Sequence, residues 1–460
     1  MIKLQLEALA AAVSGVLHNT NEREITPRGV SIDSRDDLTG QIFIPLKGTR
    51  DGHDFLEMAF EKGAILAISE KPVAQLPYIQ VESTHQAIKD FAKFYKSLFE
   101  VLTVAITGSV GKTTTKDLTA SVLAQKFNVV KTQGNFNNEI GLPLTVFHLE
   151  KETEQIILEM GMNHFGEIHN LAEIAKPDVA IITNIGEAHI ENLGSREGIL
   201  KAKSEIFDFA PKEIILNGDD ALLLGLKEKY PNARLYYLNK PEEKYTAYNI
   251  THNALKGTKA TLKIEEHLFE VDIPITGEYM VRNALVGAIV GFINGVSVEA
   301  IKKGIETFKP SKNRMDVTEI GNLTIINDVY NASPQSIKTM LDVLEAQKGR
   351  KVAILGDMFE LGDHAVEMHK EIGRYVREKK IDELITIGAL SHHTYMEALT
   401  YEKGNRIVTN EYVPTKSDFL EEIEDRIKAL SEQKTTVLIK ASRGMGFEDI
   451  VDALIQKNKS

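Results

Sequence analysis

The stretch Val101-Leu-Thr-Val-Ala-Ile-Thr-Gly108-Ser109-Val110-Gly111-Lys112-Thr113-Thr114 decides the fold. Its first seven residues are an apolar run of buried-strand length, and the segment after it turns helical, with Leu118/Val122 and Leu123/Phe127 paired at i,i+4 on one apolar face. A strand that feeds a glycine turn and then a helix is the local architecture of a phosphate site. The glycines let backbone amides curl around phosphate oxygens, and the helix N-terminus presents unpaired N–H groups. Lys112 can bridge the outer phosphates of a nucleoside triphosphate, and the Thr113 hydroxyl can ligate Mg²⁺. The general pattern has a glycine where Ile106 stands, so the loop proper begins at Gly108. A glycine-rich turn without a ligand is the plain alternative, and Gly-Lys-Thr-Thr in this context argues against it.

Outward from this loop the strand-then-helix alternation continues. Gln155–Leu158 and Val179–Thr183 are further apolar runs of the kind that parallel strands buried on both faces show. Before Val101, the runs Gln41–Pro45 and Ala64–Ile68 and the helical pattern over Ser83–Phe99 describe a small α/β segment. After the polar stretch Lys309-Pro-Ser-Lys-Asn313, the runs Thr324–Ile326, Val352–Leu355, Leu384–Ile387 and Val437–Ile439 alternate with helices. The expected fold class is α/β with three domains: a central doubly wound, P-loop ATPase-like domain, a small N-terminal α/β domain and a C-terminal Rossmann-like domain. The boundaries read as 1–100, 101–310 and 311–460.

Composition agrees. At roughly 150 residues per domain, 460 residues make about three domains, and 43% hydrophobic residues supply a core for each. A net charge of −12 speaks against a nonspecific nucleic-acid binder, so any phosphate site is local. The absence of cysteine excludes disulfides, thiolate zinc sites and thiol catalysis. Ala284–Ile293, the most apolar stretch, is interrupted by Gly287 and Gly291 and is shorter than the ~20 residues of a membrane span, so a buried helix is expected there. Ala8–Leu17 lacks the basic flank and cleavage site of a signal peptide. A cytoplasmic enzyme without membrane insertion is expected.

A phosphate loop that uses magnesium needs a carboxylate at the end of a neighbouring strand, and Glu159 closes the run Ile156-Ile-Leu158. His189, in Asn184-Ile-Gly-Glu-Ala-His189, follows the next strand at its C-terminal end, where doubly wound sheets bind ligands. Taken alone, Glu159 reads equally well as an ordinary strand-end carboxylate, and a lone histidine is more often structural.

Together these residues resemble a known family. Thr107–Thr114, Thr132-Gln-Gly-Asn135-Phe-Asn-Asn138-Glu-Ile-Gly141-Leu-Pro143, Glu159-Met-Gly-Met-Asn163-His164 and Ala188-His189, in that order, are similar to the Mur ligase family. The flanking segments extend the resemblance nearly end to end: Asp33-Ser34-Arg35, Phe43-Ile-Pro-Leu-Lys47-Gly48, Asp51-Gly-His53, Asn327-Asp328-Val-Tyr330-Asn331-Ala-Ser-Pro334, Leu355-Gly-Asp-Met-Phe-Glu-Leu-Gly362 and Lys440-Ala-Ser442-Arg443-Gly-Met445. They point to the branch that joins D-alanyl-D-alanine to UDP-N-acetylmuramoyl-tripeptide in peptidoglycan precursor synthesis. The Asp-Asn-Pro-Arg sequence of the preceding ligase is absent.

The resemblance implies ATP-driven amide formation through an acyl phosphate. Gly108, Ser109, Val110, Gly111, Lys112, Thr113 and Thr114 would hold the ATP phosphates, and Thr113, Glu159 and His189 would serve two magnesium ions. Lys203 matches the lysine that many members carry as a carbamate; a plain exposed helix lysine, like Lys201, is the alternative. Asn283 would meet adenine, although Tyr279-Met280 stands where members often have His-Asn. Arg314 would approach the γ-phosphate and Asp328 the nucleotide sugar; otherwise they read as a linker residue and a strand-end cap. Lys112, His189, Lys203 and Arg314 are thus the catalytic candidates. Ser34, Arg35 and Lys47 are candidate contacts for the UDP end, with isolated surface cations as the alternative. Asn135 and Asn138 belong to the substrate set, and Asn331, Ser442 and Arg443 are candidates for the dipeptide. The resemblance further implies domain closure with a hinge near Pro310–Asn313, and a monomer is expected. A folylpolyglutamate synthase and an ATP-hydrolysing switch remain the rivals; the Tyr330–Pro334 and Gly356–Gly362 segments weigh against the first, and the combination of Glu159, His189 and Lys203 against the second.

Overall fold

The computed structural model describes residues 1–74, 76–310, 313–400 and 409–457. Ser311 and Lys312, in the expected hinge, lie outside the described residues. The chain divides into two compact units, each assembled from several segments.

The first unit comprises Met1–Thr107, Lys126–Ile182 and Ala202–Ile215. Within the first hundred residues a five-stranded sheet has the order Val16–His18, Tyr78–Gln80, Leu66–Ser69, Gln41–Phe43, Gly29–Ser31. Only its first pair is antiparallel. Helix Thr84–Ser97 starts where the Ser83 hydroxyl accepts from the Gln86 N–H, and it buries Ala87, Ile88, Phe91, Ala92 and Tyr95, a 3.6-residue repeat. Phe91 lies 4.6 Å from Phe147, and the Tyr95 hydroxyl donates to the Leu149 carbonyl at 2.8 Å, so this helix is fixed to the segment that follows the phosphate-loop helix.

The same unit holds the parallel strands in the order Val129–Lys131, Gln155–Glu159, Leu102–Thr107, Val179–Ile182. Leu102–Thr107 therefore has a parallel neighbour on each side, and Thr103 to Thr107 are all buried. The chain runs outward from it on one side, returns, and then passes to the other side. Such a reversal leaves an opening at the carboxyl end of the inner strand, where the glycine loop begins.

The second unit comprises Gly108–Gln125, Thr183–Lys201 and Leu216–Ser460. Helix Lys112–Leu123 is clasped by two others. A Cβ at Gly287 of helix Glu278–Ile293 would stand 3.3 Å from the Thr119 nitrogen, and one at Gly304 of helix Val298–Glu306 would stand 2.6 Å from the Val122 Cα. Glu278–Ile293 is buried through its middle, as the apolar stretch 284–293 predicts. No helix among the described residues is long and apolar enough to cross a membrane.

The middle of the chain departs from a purely parallel expectation. Arg234–Leu238 runs parallel to Tyr245–His252, but Thr258–Ile264 and His267–Ile273 then add antiparallel strands. Burial in Thr258–Ile264 alternates, the mark of a sheet covered on one face. The C-terminal sheet has the order Asp316–Ile320, Leu323–Asn327, Thr435–Lys440, Arg350–Gly356, Glu383–Ile387, Thr409–Val413. It is parallel except for its first pair, and Val352, Ile354, Val437, Ile439 and Phe447 are among its core.

A charged network braces the N-terminal sheet. Burial pushes the Glu70 carboxyl up, but its ion pair with Lys47 and the Thr84 N–H outweigh this and hold it at about 2, below the ordinary 4.5. A carboxyl depressed on folding stabilises fully above pH 4.5, and that contribution is lost as pH falls toward about 2. Glu70→Gln is expected to lower stability at pH 7 by about 1 kcal/mol and to flatten the acid limb between those values, as read by urea unfolding at stepped pH.

Candidate active site

The glycine loop is built by its neighbours. Gly108 has φ +149° and Gly111 φ +86°, and a Cβ at Gly108 would fall 1.9 Å from the Thr183 hydroxyl. Ser109 N–H donates to the Asn184 carbonyl at 3.1 Å, and Val110 N–H donates to Asn184 Oδ1 at 3.0 Å. In return Asn184 Nδ2 and the Thr183 hydroxyl each donate to the Val110 carbonyl at 2.8 Å. The Gly186 N–H donates to the Ser109 hydroxyl at 2.9 Å. The turn after Val179–Ile182 thus splints the loop over its length. Asn184 grips both polar groups of one peptide residue, which leaves little freedom to reorganise when an anion arrives.

Gly111 opens helix Lys112–Leu123 with no side chain capping it, and the Thr115 N–H donates to the Gly111 carbonyl at 2.9 Å. Lys112 folds back onto the loop, with Nζ 2.8 Å from the Gly108 carbonyl. Thr113 is 5% exposed, and Thr114 is half-buried. Asn283 stands behind the loop at 7% exposure, where its Oδ1 accepts from the Thr115 hydroxyl at 3.1 Å. That bond ties helix Glu278–Ile293 to the loop helix, a bracing duty the sequence reading did not foresee.

His189, φ +65°, precedes the short helix Ile190–Leu193, and its Nδ1 stands 2.8 Å from Oε2 of Glu360. The nearby imidazole, against the cost of burial, and the charge of Lys112 hold the Glu360 carboxyl below its usual range. Glu360 therefore feels both His189 and Lys112.

Two cationic candidates, Arg314 and Arg443, and a buried lysine, Lys440, belong to the C-terminal segment. The Arg314 guanidinium lies 3.8 Å over the Tyr330 ring and that of Arg443 lies 5.1 Å from it. Lys440, only 2% exposed, pairs with Asp328 and donates to the Asn331 carbonyl at 2.8 Å. Asp328 also accepts from the Met315 N–H at 3.1 Å, so it does cap the strand end. Asn331 and Arg443 are exposed; Ser442 is buried, its hydroxyl accepting from the Phe359 N–H at 2.9 Å.

The remaining candidates lie in the first unit. Glu159 is 2% exposed at the end of its strand, its Oε1 held by Asn137 Nδ2 at 2.8 Å. Asn137 is a neighbour that the sequence reading passed over between Asn135 and Asn138. Asn135 is exposed, whereas Asn138 Oδ1 accepts from the Gly141 N–H at 2.8 Å and so starts helix Gly141–Val146. Lys203 is 1% exposed, whereas Lys201 is exposed, so the reading of Lys203 as a plain surface lysine is corrected. Arg35 and Lys47 are not isolated cations either: Arg35 pairs with Asp33 at 2.6 Å and Lys47 with Glu70. Ser34 lies beside the first pair, half-buried.

Thr113 and Glu159 each carry oxygen donors of the kind magnesium takes, and no three acidic or imidazole side chains form a preformed cage among the described residues. Mg²⁺ is usually held by one or two protein oxygens with substrate phosphates completing its shell, which this pattern allows.

Comparison with known proteins agrees with this arrangement. Residues 106–291 match the Mur ligase middle domain, and residues 313–443 match the Mur ligase, glutamate ligase domain. The chain is 38% identical over 466 residues to the UDP-N-acetylmuramoyl-tripeptide–D-alanyl-D-alanine ligase of Bacillus subtilis, covering 99% of each. Among solved structures, it is similar to MurF from Acinetobacter baumannii, with TM-score 0.90, 29% identity and coverage of 99% and 100%. It is also similar to MurF ligase from Thermotoga maritima in complex with ADP, with TM-score 0.81, 28% identity and coverage of 94% and 98%.

Removing the splint isolates its contribution. Asn184→Ala is expected to weaken ADP binding about 10-fold through loss of two hydrogen bonds, and Gly108→Ala to abolish it, by calorimetric titration. ADP affinity unchanged in Asn184→Ala would show that the loop holds its shape without Asn184.

Proposed function

The chain belongs to the Mur ligase family, and from that premise we propose how its residues carry out the ligation. It is an ATP-dependent ligase that joins D-alanyl-D-alanine to UDP-N-acetylmuramoyl-tripeptide in peptidoglycan precursor synthesis. The observation that carries this is the end-to-end match to a D-alanyl-D-alanine ligase together with a splinted phosphate loop at the inner strand's end.

A carboxylate resists attack by an amine because it is anionic and its leaving group would be oxide. Transfer of the γ-phosphoryl group from ATP to the terminal carboxylate of the tripeptide gives an acyl phosphate and ADP. The amine then adds to the acyl carbon, inorganic phosphate departs with the C–O bonding pair, and the amine proton passes to solvent. The protein's share is positioning and charge neutralisation. The amides of Gly108–Thr114 and the Lys112 ammonium hold the phosphates, and Arg314 meets the γ-phosphoryl group. Thr113, Glu159, His189 and Lys203 are the proposed ligands of two magnesium ions, which neutralise phosphate charge when bound. Lys203 is buried, and carbamate formation requires its neutral amine. Its carbamate would turn a cation into an anionic ligand.

Adenine at Asn283 and the nucleotide sugar at Asp328 complete the ATP contacts. Ser34, Arg35, Lys47, Asn135 and Asn138 are assigned to the UDP-linked substrate, and Asn331, Ser442 and Arg443 to the dipeptide. Domains 1–100, 101–310 and 311–460, acting as a cytoplasmic monomer, complete the reading.

Phosphate release should require both UDP-N-acetylmuramoyl-tripeptide and D-alanyl-D-alanine, and the nucleotide product should gain the dipeptide mass less water. Release indifferent to both would instead identify a nucleotide switch. Lys203→Ala is expected to lose at least about 100-fold in kcat and to recover in part with added short-chain carboxylates; full activity without them would remove Lys203 from the mechanism.

A further inference from the structure

The segment Gly356–Gly362 weighs in the sequence argument, yet the reaction above uses none of it. Its residues are pinned one after another. Asp357 Oδ1 accepts from the Ser391 N–H at 2.7 Å and hydroxyl at 2.6 Å. Buried His369 accepts the Met358 N–H on Nε2 at 3.0 Å while its Nδ1 lies 2.7 Å from the Ala365 carbonyl. The Phe359 N–H donates to the Ser442 hydroxyl. Glu360 then takes φ +62°, a left-handed conformation in which a long side chain is uncommon. Three clamped residues and one strained one aim a carboxylate, and strain held by its surroundings is a pointer to function.

We propose that the Glu360 carboxylate receives the ammonium group of the incoming D-alanyl-D-alanine, whose own carboxylate is held by Arg443. This rests on the ligase reading. Glu360 stands 2.8 Å from His189, on the phosphate-loop side of its segment. Nδ1 of His189 makes no hydrogen bond there, so the Glu360 carboxylate is not committed to that partner. A carboxylate on this side of the loop can pair with the ammonium group that the amine substrate brings. A free dipeptide is a zwitterion, and at ~3.5 Å per residue its two charges lie about 7 Å apart when extended. The structure places an anion and a cation on adjoining strips. Phe359 is bonded to Ser442, and a Cβ at Gly444 would stand 3.0 Å from the Phe359 ring, so Glu360 and Arg443 flank one contact.

The test varies each substrate in turn for Glu360→Gln and for Glu360→Asn, which suits left-handed backbone. The expected result is a rise of about 100-fold in KM for D-alanyl-D-alanine with KM for ATP and tripeptide within about twofold. Hydroxylamine, a small amine largely uncharged at neutral pH, should still drive ADP release from the variants, with a much smaller loss than the dipeptide reaction shows. Parent enzyme that needs the dipeptide, with variants whose dipeptide KM is unchanged, overturns the assignment of Glu360 alone. A raised KM for ATP or lost hydroxylamine turnover also overturns it, since Glu360 would then act through His189. Parent enzyme with no dipeptide-dependent turnover removes the ligase reading and this assignment with it.

Discussion

Asn184 holds both the N–H and the carbonyl of Val110, and the arrangement around the phosphate loop depends on that double grip. Backbone amides attract phosphate only if their dipoles are already aimed, because a loop that must reorganise gives back in ordering what it gains in contact. Glycine alone permits the φ angles of Gly108 and Gly111, but permission is not order. Order comes from a turn one strand away, which is why the parallel neighbour of Leu102–Thr107 matters as much as the loop itself. From below, Asn283 and the close approach of Gly287 and Gly304 hold the loop helix.

The C-terminal segment uses a different device. Lys440 is a buried ammonium whose cost is met by Asp328 and the Asn331 carbonyl, so the two loops that carry candidate contacts are tied to one strand end. Removing one member of such a set leaves the other charge stranded, which costs more than the set contributes intact. A sheet edge becomes a shaped surface through this kind of link.

Much of the scaffold was legible beforehand because buried parallel strands are short apolar runs and the glycine loop is punctuated. Val101–Thr107, Gln155–Leu158 and Val352–Leu355 each fall on an observed strand. The antiparallel strands Thr258–Ile264 and His267–Ile273 were not legible, since alternating Thr and Lys residues read as surface until a partner covers one face. Site residues divide in the same way. Candidates that belong to a local motif stand out, as Lys112 and Thr113 do. Those that act by holding another residue do not: Asn137 reaches Glu159 across 22 positions and Lys440 reaches Asp328 across 112, and no spacing rule encodes such pairs. Lys203 and Lys201 are indistinguishable as letters, and burial alone separates them.

The chain contains no tryptophan, and the Tyr330 ring has the guanidinium groups of both Arg314 and Arg443 close to it. An indole at that position would stack on the same cations, for which tryptophan is the better partner. It would also be the sole indole fluorophore in the chain, with two guanidinium groups close by. Emission from such an indole would report a change at either arginine without an added label.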